Sequence, residues 1–218
     1  MGKKTAFSRR VSQSAESVQP AKRAKPPREE TYKYLEIEEI RALFSVIESK
    51  RDRAIFRVAY HRGLRAHEVG LLQRSDFRER DGVLRVYRGK GSITREHSLC
   101  VEELRALRAW LKERGTYPGP LFPSRQRNFD EEGRPLGITR IRLDQLMKTY
   151  CRLAGIPREK AHMHSLKHSC GTHLAERGAS AAEIQDWLGH RDSGSTDIYM
   201  HFSRRRRAAV VDRHRDWV

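Results

Sequence analysis

From Leu35 onward, apolar residues return at helical spacing. Ile37, Ile40, Leu43, Phe44 and Ile47 fall on one side of a first helix. Leu35 is placed to staple onto Ile40, and Glu39 to reach back from the third helical position. A second helix is predicted from about Asp52 to Arg62, stopped by Gly63 with Leu64 as the apolar residue just beyond it. A short helix then runs through Leu72. Asp81-Gly82 marks a turn into a strand, Val83 to Arg88, whose partner runs from Ile93 to Leu99. Gly89-Lys90-Gly91-Ser92 joins the two as a hairpin. Val101, Leu104, Leu107 and Leu111 form the stripe of the next helix. Glu102 and Glu103 suit its first turn, and Gly115 ends it. Pro118 to Gly137 reads as loop, broken by Leu121-Phe122. Three more helices follow, at about Thr139–Leu153, Ser165–Arg177 and Ala181–Leu188. Helices, one small antiparallel sheet, then helices, with no alternation of strand and helix, predict a mainly helical α+β domain.

The first thirty residues break this pattern. They are rich in Ser, Ala, Lys, Arg and Pro, too poor in apolar residues for a core, and end in Lys25-Pro26-Pro27-Arg28. Residues 1–30 are therefore expected to be a disordered basic arm, and 31–218 the folded domain. The arm has no apolar stretch of the kind a secretory signal needs, and no run in the chain approaches a membrane span.

Charge narrows the partner. Forty-five Lys and Arg against 28 Asp and Glu give a formal net charge of +17, an imbalance that favours a polyanion, nucleic acid first. Cys100, Cys151 and Cys170 are odd in number, widely separated and without a C-x-x-C pair. They support neither a disulfide framework nor a zinc ribbon and are expected to be buried thiols in a reducing compartment. Expected location is cytoplasmic, at the nucleoid.

Chemistry concentrates near the C-terminal end. In His164-Ser165-Leu166-Lys167-His168, the helical turn of 100° per residue puts His164, Lys167, His168 and Gly171 on one face, with Leu166 and Cys170 largely opposite. Two imidazoles and an ammonium would line that face, and Gly171 would let another backbone or a ligand approach. A solvated charged face gives the same pattern. His164 and His168 also stand at metal-ligand spacing, but no acidic partner accompanies them and Lys167 repels a dication, so no metal and no cofactor is expected. Downstream lie Leu188-Gly189-His190-Arg191 and then Tyr199. A tyrosine among cationic groups in a DNA-seeking chain suggests attack of a phenolate on a phosphodiester.

Taken in order, Gly63-Leu64-Arg65-Ala66-His67-Glu68-Val69, Gly89-Lys90-Gly91, His164-Ser165-Leu166-Lys167-His168, Leu188-Gly189-His190 and Tyr199 resemble the boxes of the tyrosine recombinase (phage integrase) family. The resemblance spans about Leu35 to Ser203. It implies the family's catalytic-domain fold and a site-specific DNA recombinase, an integrase or invertase, acting through a 3′-phosphotyrosine. The implied catalytic set is Arg65, Lys90, His164, Lys167, His190 and the nucleophile Tyr199. Arg65 would grip phosphate oxygens in plane, His190 would add a donor, Lys90 would protonate the 5′ oxygen, and His164 would help to deprotonate Tyr199. Glu68 would orient Arg65, and His168 would buttress the site. Arg88, Lys90, Arg204 and Arg205 are the expected DNA contacts. The implied partners are duplex DNA, a homo-tetramer assembled on it and accessory DNA-bending proteins.

Two features depart from the family pattern. Lys167 stands where a second arginine is usual, and lysine lacks the guanidinium's two-point grip. The arm stands where the family usually carries a further helical domain, a reduction similar to the small fimbrial-switch invertases and some mobile-element recombinases. A DNA-binding regulator that no longer cuts, and a type IB topoisomerase, stay open at this point; His164 argues against the latter, where lysine is usual.

Overall fold

The computed structural model describes residues 33–88, 94–124, 129–190 and 194–202. Eleven elements in that range position the site. Helix α1 (Ile37–Ser45) begins as its sequence suggests: the Glu36 N–H donates to Glu39 Oε2 at 2.8 Å, and Leu35 is buried. Helix α2 (Lys50–Arg62) ends at Gly63, whose φ of 57° is left-handed. A Cβ there would also stand 2.2 Å from Leu188 Cδ2, so both backbone shape and the approach of a neighbouring helix require glycine. Helix α3 (Ala66–Leu71) follows α2 after three residues, Gly63, Leu64 and Arg65.

The sheet has three antiparallel strands in the order β1 (Phe77–Arg78), β2 (Val83–Val86), β3 (Arg95–Ser98), with Leu84 opposite His97 and Phe77 opposite Leu84. Strands β2 and β3 match the expected hairpin. The turn between them, with Lys90, lies outside the described residues, as do residues 1–30, Arg204 and Arg205. Helix α4 (Val101–Arg114) packs on α2 and stops at Gly115. Helices α5 (Arg140–Leu153), α6 (Met163–Glu176) and α7 (Ala181–Leu188) fall where periodicity puts them. Helix α8 (Gly194–Phe202), which carries Tyr199, was not expected as a helix, and neither was β1.

Two apolar clusters result. The larger runs from Leu35 through Phe56, Leu84 and Phe122 to Leu166; the smaller joins Cys170, Ala175, Ile184, Leu188 and Tyr199. Helix α6 belongs to both. It is fixed by the Leu35 N–H donating to Ser169 Oγ at 2.8 Å and by Tyr60 Oη against His173 Nδ1 at 2.8 Å. Such buried pairings hold the helix in register as well as in place. Cys151 and Cys170 are buried thiols, but Cys100 is only half-buried at the start of α4, which corrects the expectation for that residue.

Candidate active site

The site forms where the α2–α3 turn, the middle of α6, the end of α7 and α8 meet. Arg65 precedes α3, and its backbone N–H donates to Glu68 Oε2 at 2.7 Å while its Nη1 donates to Glu68 Oε1 at 3.0 Å. Glu68 is fully buried, whereas the Arg65 side chain stays 34% exposed. One residue is thus locked from behind so that the other can face outward. Burial pushes the Glu68 carboxyl up, but Arg88, the Arg65 N–H and Lys167 outweigh it and hold the group below the usual carboxylate range. Arg65 and His164 line one cleft of about 430 Å³ with His67, Arg140, Asp144 and His162. Its lining is rich in cationic and imidazole groups, as an anion site requires.

Tyr199 is 1% exposed. Its ring lies parallel to His190, with centroids 6.0 Å apart and planes at 13°, and its Oη is 3.4 Å from His168 Nδ1. His164 stands edge-on to His168 at 4.1 Å. His190 Nδ1 pairs with Thr196 Oγ1 at 3.0 Å, three residues before Tyr199 on the same helix. Gly171 makes this possible: a Cβ there would lie 2.5–2.7 Å from three atoms of the Tyr199 ring. What approaches Gly171 is therefore a side chain of the same protein, not a backbone or ligand. Gly171→Ala is expected to displace the ring and to slow any reaction of Tyr199 by about 100-fold, the usual effect of misplacing a reacting atom by an ångström. The rate of covalent attachment to DNA, with circular dichroism to confirm folding, checks it.

Two expected site residues sit differently. Arg88, expected at the DNA surface, is buried, its side chain 1% exposed. Its guanidinium donates to the carbonyls of Arg62 at 2.8 Å, Gly63 at 3.2 Å and Trp187 at 2.9 Å and to Glu68 at 3.1 Å. Both terminal nitrogens of its fork are thus engaged inside the protein. Lys167, expected on an open polar face, is likewise buried, with Nζ donating to Leu188 O at 2.9 Å and Gly63 O at 3.2 Å. Burial, with Arg88 and Arg65 nearby, lowers its ammonium to about 7. The helical wheel is right about the shared face; a second layer, α7 and α8, covers it at Lys167 and Gly171, while His164 stays exposed at the cleft.

The site histidines are held neutral. Burial first, then neighbouring cations, lowers His190 to about 4 and His168 to about 3, and lowers His164 as well. His61, His97 and His173 are each lowered to about 4 by burial. Each group protonates more readily in the unfolded chain than in the folded one. The histidines' contribution to stability is therefore fully present above pH 6.5 and falls as pH drops from there toward 4. Thermal unfolding across pH 7.5 to 4 is expected to show a steady decline in Tm; a flat profile would contradict this burial pattern.

Among the described residues, His61, Cys100 and Glu103 bring potential metal-ligand atoms within 4.8 Å of one another. The set does not fit a cation well. The Glu103 carboxylate already accepts from Arg62 Nε at 2.9 Å, Arg62 Nη2 at 2.5 Å and the Cys100 N–H at 3.0 Å, and burial raises the Cys100 thiol to about 11. Residues that sequence reasoning missed are Thr196, Arg140 and His162. Thr196 was legible in principle, at i−3 from Tyr199, once that segment is taken as a helix.

Comparison with known proteins bears on the family and the fold. Residues 33–206 match the phage integrase family. The tyrosine recombinase XerC of Erythrobacter litoralis is 35% identical over 162 residues, 74% of this chain and 50% of its own length. The tyrosine recombinase XerA of Pyrococcus furiosus is 33% identical over 183 residues, 83% of this chain and 61% of its own. The chain thus spans between half and about three fifths of these curated relatives. Among solved structures, XerA recombinase superposes with a TM-score of 0.70 at 26% identity, covering 84% of this chain and 65% of that one. The XerH site-specific recombinase, in a post-cleavage complex with its palindromic difH substrate, gives 0.67 at 26% identity, covering 82% and 52%. A mainly helical fold with a three-stranded antiparallel sheet, the ordered motifs from Arg65 to Tyr199 and a match over residues 33–206 lead to one conclusion: this chain belongs to the phage integrase family of tyrosine recombinases.

Proposed function

We propose that the protein is a site-specific DNA recombinase that cleaves and rejoins duplex DNA through a covalent bond to Tyr199. The observation that carries this is the seating of a buried tyrosine against two site imidazoles, His190 and His168, the second of them touching His164, in the same fold as an outward-facing arginine anchored by a buried glutamate. Arg65 grips the non-bridging oxygens of the scissile phosphate, and His190 adds a donor as negative charge builds on them. Tyr199 Oη forms a bond to phosphorus while the P–O5′ bond breaks. The phenolic proton passes to the His164–His168 pair. His168, assigned above to buttressing, is the member whose nitrogen faces the hydroxyl. Lys90 gives a proton to the departing 5′ oxygen. Reversal with a different 5′ hydroxyl rejoins strands, and the phosphotyrosine conserves the bond energy in between. XerH, caught after cleavage of its difH substrate, supports the same chemistry here.

The working unit is a homo-tetramer on DNA, with pairs of subunits cutting in turn and accessory DNA-bending proteins shaping the site. Residues 1–30 lie along phosphates as a basic arm, 31–218 form the catalytic domain, and Arg204 and Arg205 add phosphate contacts. With +17 formal charges, binding falls steeply with salt. The protein acts in the cytoplasm, at the nucleoid. The test is to incubate the protein and a Tyr199→Phe variant with duplexes from the regions flanking its gene and to stop with detergent. DNA linked to the parent and not to the variant is the expected result. DNA binding by both with linkage by neither would support a regulator instead, and relaxation of plasmid without a specific site would support a topoisomerase.

A further inference from the structure

Arg88 and Lys167 are buried cations that the proposed reaction leaves without a task. Arg88 follows β2, just before the segment that holds Lys90; Lys167 sits mid-way along α6. Neither touches the cleft that Arg65 and His164 line. Both donate to the same oxygen, Gly63 O, at 3.2 Å each. Each then reaches one of two adjacent carbonyls at the end of α7: Arg88 takes Trp187 O at 2.9 Å and Lys167 takes Leu188 O at 2.9 Å. The tied segments are the Gly63-Leu64-Arg65 turn, which aims Arg65, and the Leu188-Gly189-His190 turn, which aims His190. Gly189, with φ 62°, completes the fit, because a Cβ there would lie 2.9 Å from Arg88 Cγ.

We propose that Arg88 and Lys167 are paired positioning residues. Sharing the Gly63 carbonyl, they clamp the turn that carries Arg65 to the turn that carries His190, and they leave the phosphate to those two residues. This rests on the transesterase reading above. It also accounts for lysine at position 167. The guanidinium of Arg88 already occupies the space beside Gly63, and an ammonium is the cation small enough to share that oxygen. Buried donors of this kind fix backbone geometry because leaving the carbonyls unpaired is costly.

The test uses a 30-base-pair duplex of arbitrary sequence, with affinity measured across a salt series. Loss of one phosphate contact lowers the slope of log K against log salt by about 0.9. Arg65→Met is expected to show that drop, whereas Lys167→Met and Arg88→Met keep the parent slope. A drop of about 0.9 in Lys167→Met overturns the proposal and makes Lys167 a phosphate ligand. If Arg65→Met also keeps the parent slope, it is the phosphate-site reading that fails. A positioning role further requires the His190 imidazole signals of the free protein to shift in Lys167→Met; unchanged signals overturn it. Should Lys167→Met not fold, head-group exchange decides. Lys167→Arg alone is expected to lower Tm and to disturb His190, and adding Arg88→Lys is expected to restore both. A Lys167→Arg variant as stable as the parent, with a steeper salt slope, contradicts the pairing.

Discussion

Replacing Glu68 with alanine is expected to lower stability by about 3–5 kcal/mol, the range for stripping one partner from a buried ion pair. For a chain of this length that corresponds to a fall in Tm of roughly 10 °C. Glu68 is fully buried and accepts from three donors: the Arg65 N–H at 2.7 Å, Arg65 Nη1 at 3.0 Å and Arg88 Nη1 at 3.1 Å. Removal leaves the Arg88 guanidinium, itself 1% exposed, without its only acidic partner among the described contacts. The penalty is that of an uncompensated buried charge, larger than the net worth of the pair. Glu68→Gln keeps an acceptor and a similar shape, so a smaller loss is expected. Thermal unfolding of the three proteins at pH 7.5 checks the order. Equal loss in alanine and glutamine variants would show that shape, not charge, is what Arg88 needs.

Arg65→Met is expected to do the opposite: little to stability, much to rate. Its side chain is one-third exposed, so its pair with Glu68 is partly screened by solvent and worth little to folding. In the reaction it faces charge that grows on the phosphate oxygens, and losing one such transition-state contact costs about 100- to 1,000-fold. Arg65→Lys is expected to fall between, because an ammonium keeps the charge and loses the two-point grip. Single-turnover cleavage of a duplex nicked beside the cleavage point, at saturating protein, separates this from weaker binding. A Tm unchanged within about 2 °C, with the rate down a hundredfold, is the expected combination.

Most of the frame was legible in the chain. Apolar period placed six of the helices, Gly63 and Gly115 marked two helix ends, and Asp81-Gly82 opened the hairpin. Arg65 with Glu68 was readable because the two are three residues apart, Arg65 capping the short helix that carries Glu68. Helix α8 was not, because Gly194-Ser195-Thr196-Asp197 carries no apolar stripe; its order comes from packing Tyr199 against α6 and α7. Lys167 and Arg88 misled for a related reason. A lysine on a polar helix face reads as solvated, and nothing local shows that the end of α7 presents one carbonyl, Leu188 O, to Lys167 and another, Trp187 O, to Arg88. Partners 21 and 99 residues apart in sequence are invisible to periodicity. The approach of Tyr199 to His168 rather than His164 is likewise set by how α8 crosses α6.

The most direct test of covalent catalysis is to locate the bond. The protein is trapped on duplex DNA from beside its gene, the DNA trimmed with nuclease, and the tryptic peptides analysed by mass spectrometry. The expected result is a 3′-nucleotide joined through phosphate to the peptide containing Tyr199, absent after Tyr199→Phe. A nucleotide on any other residue, or DNA bound at saturation with no linked peptide, would contradict it.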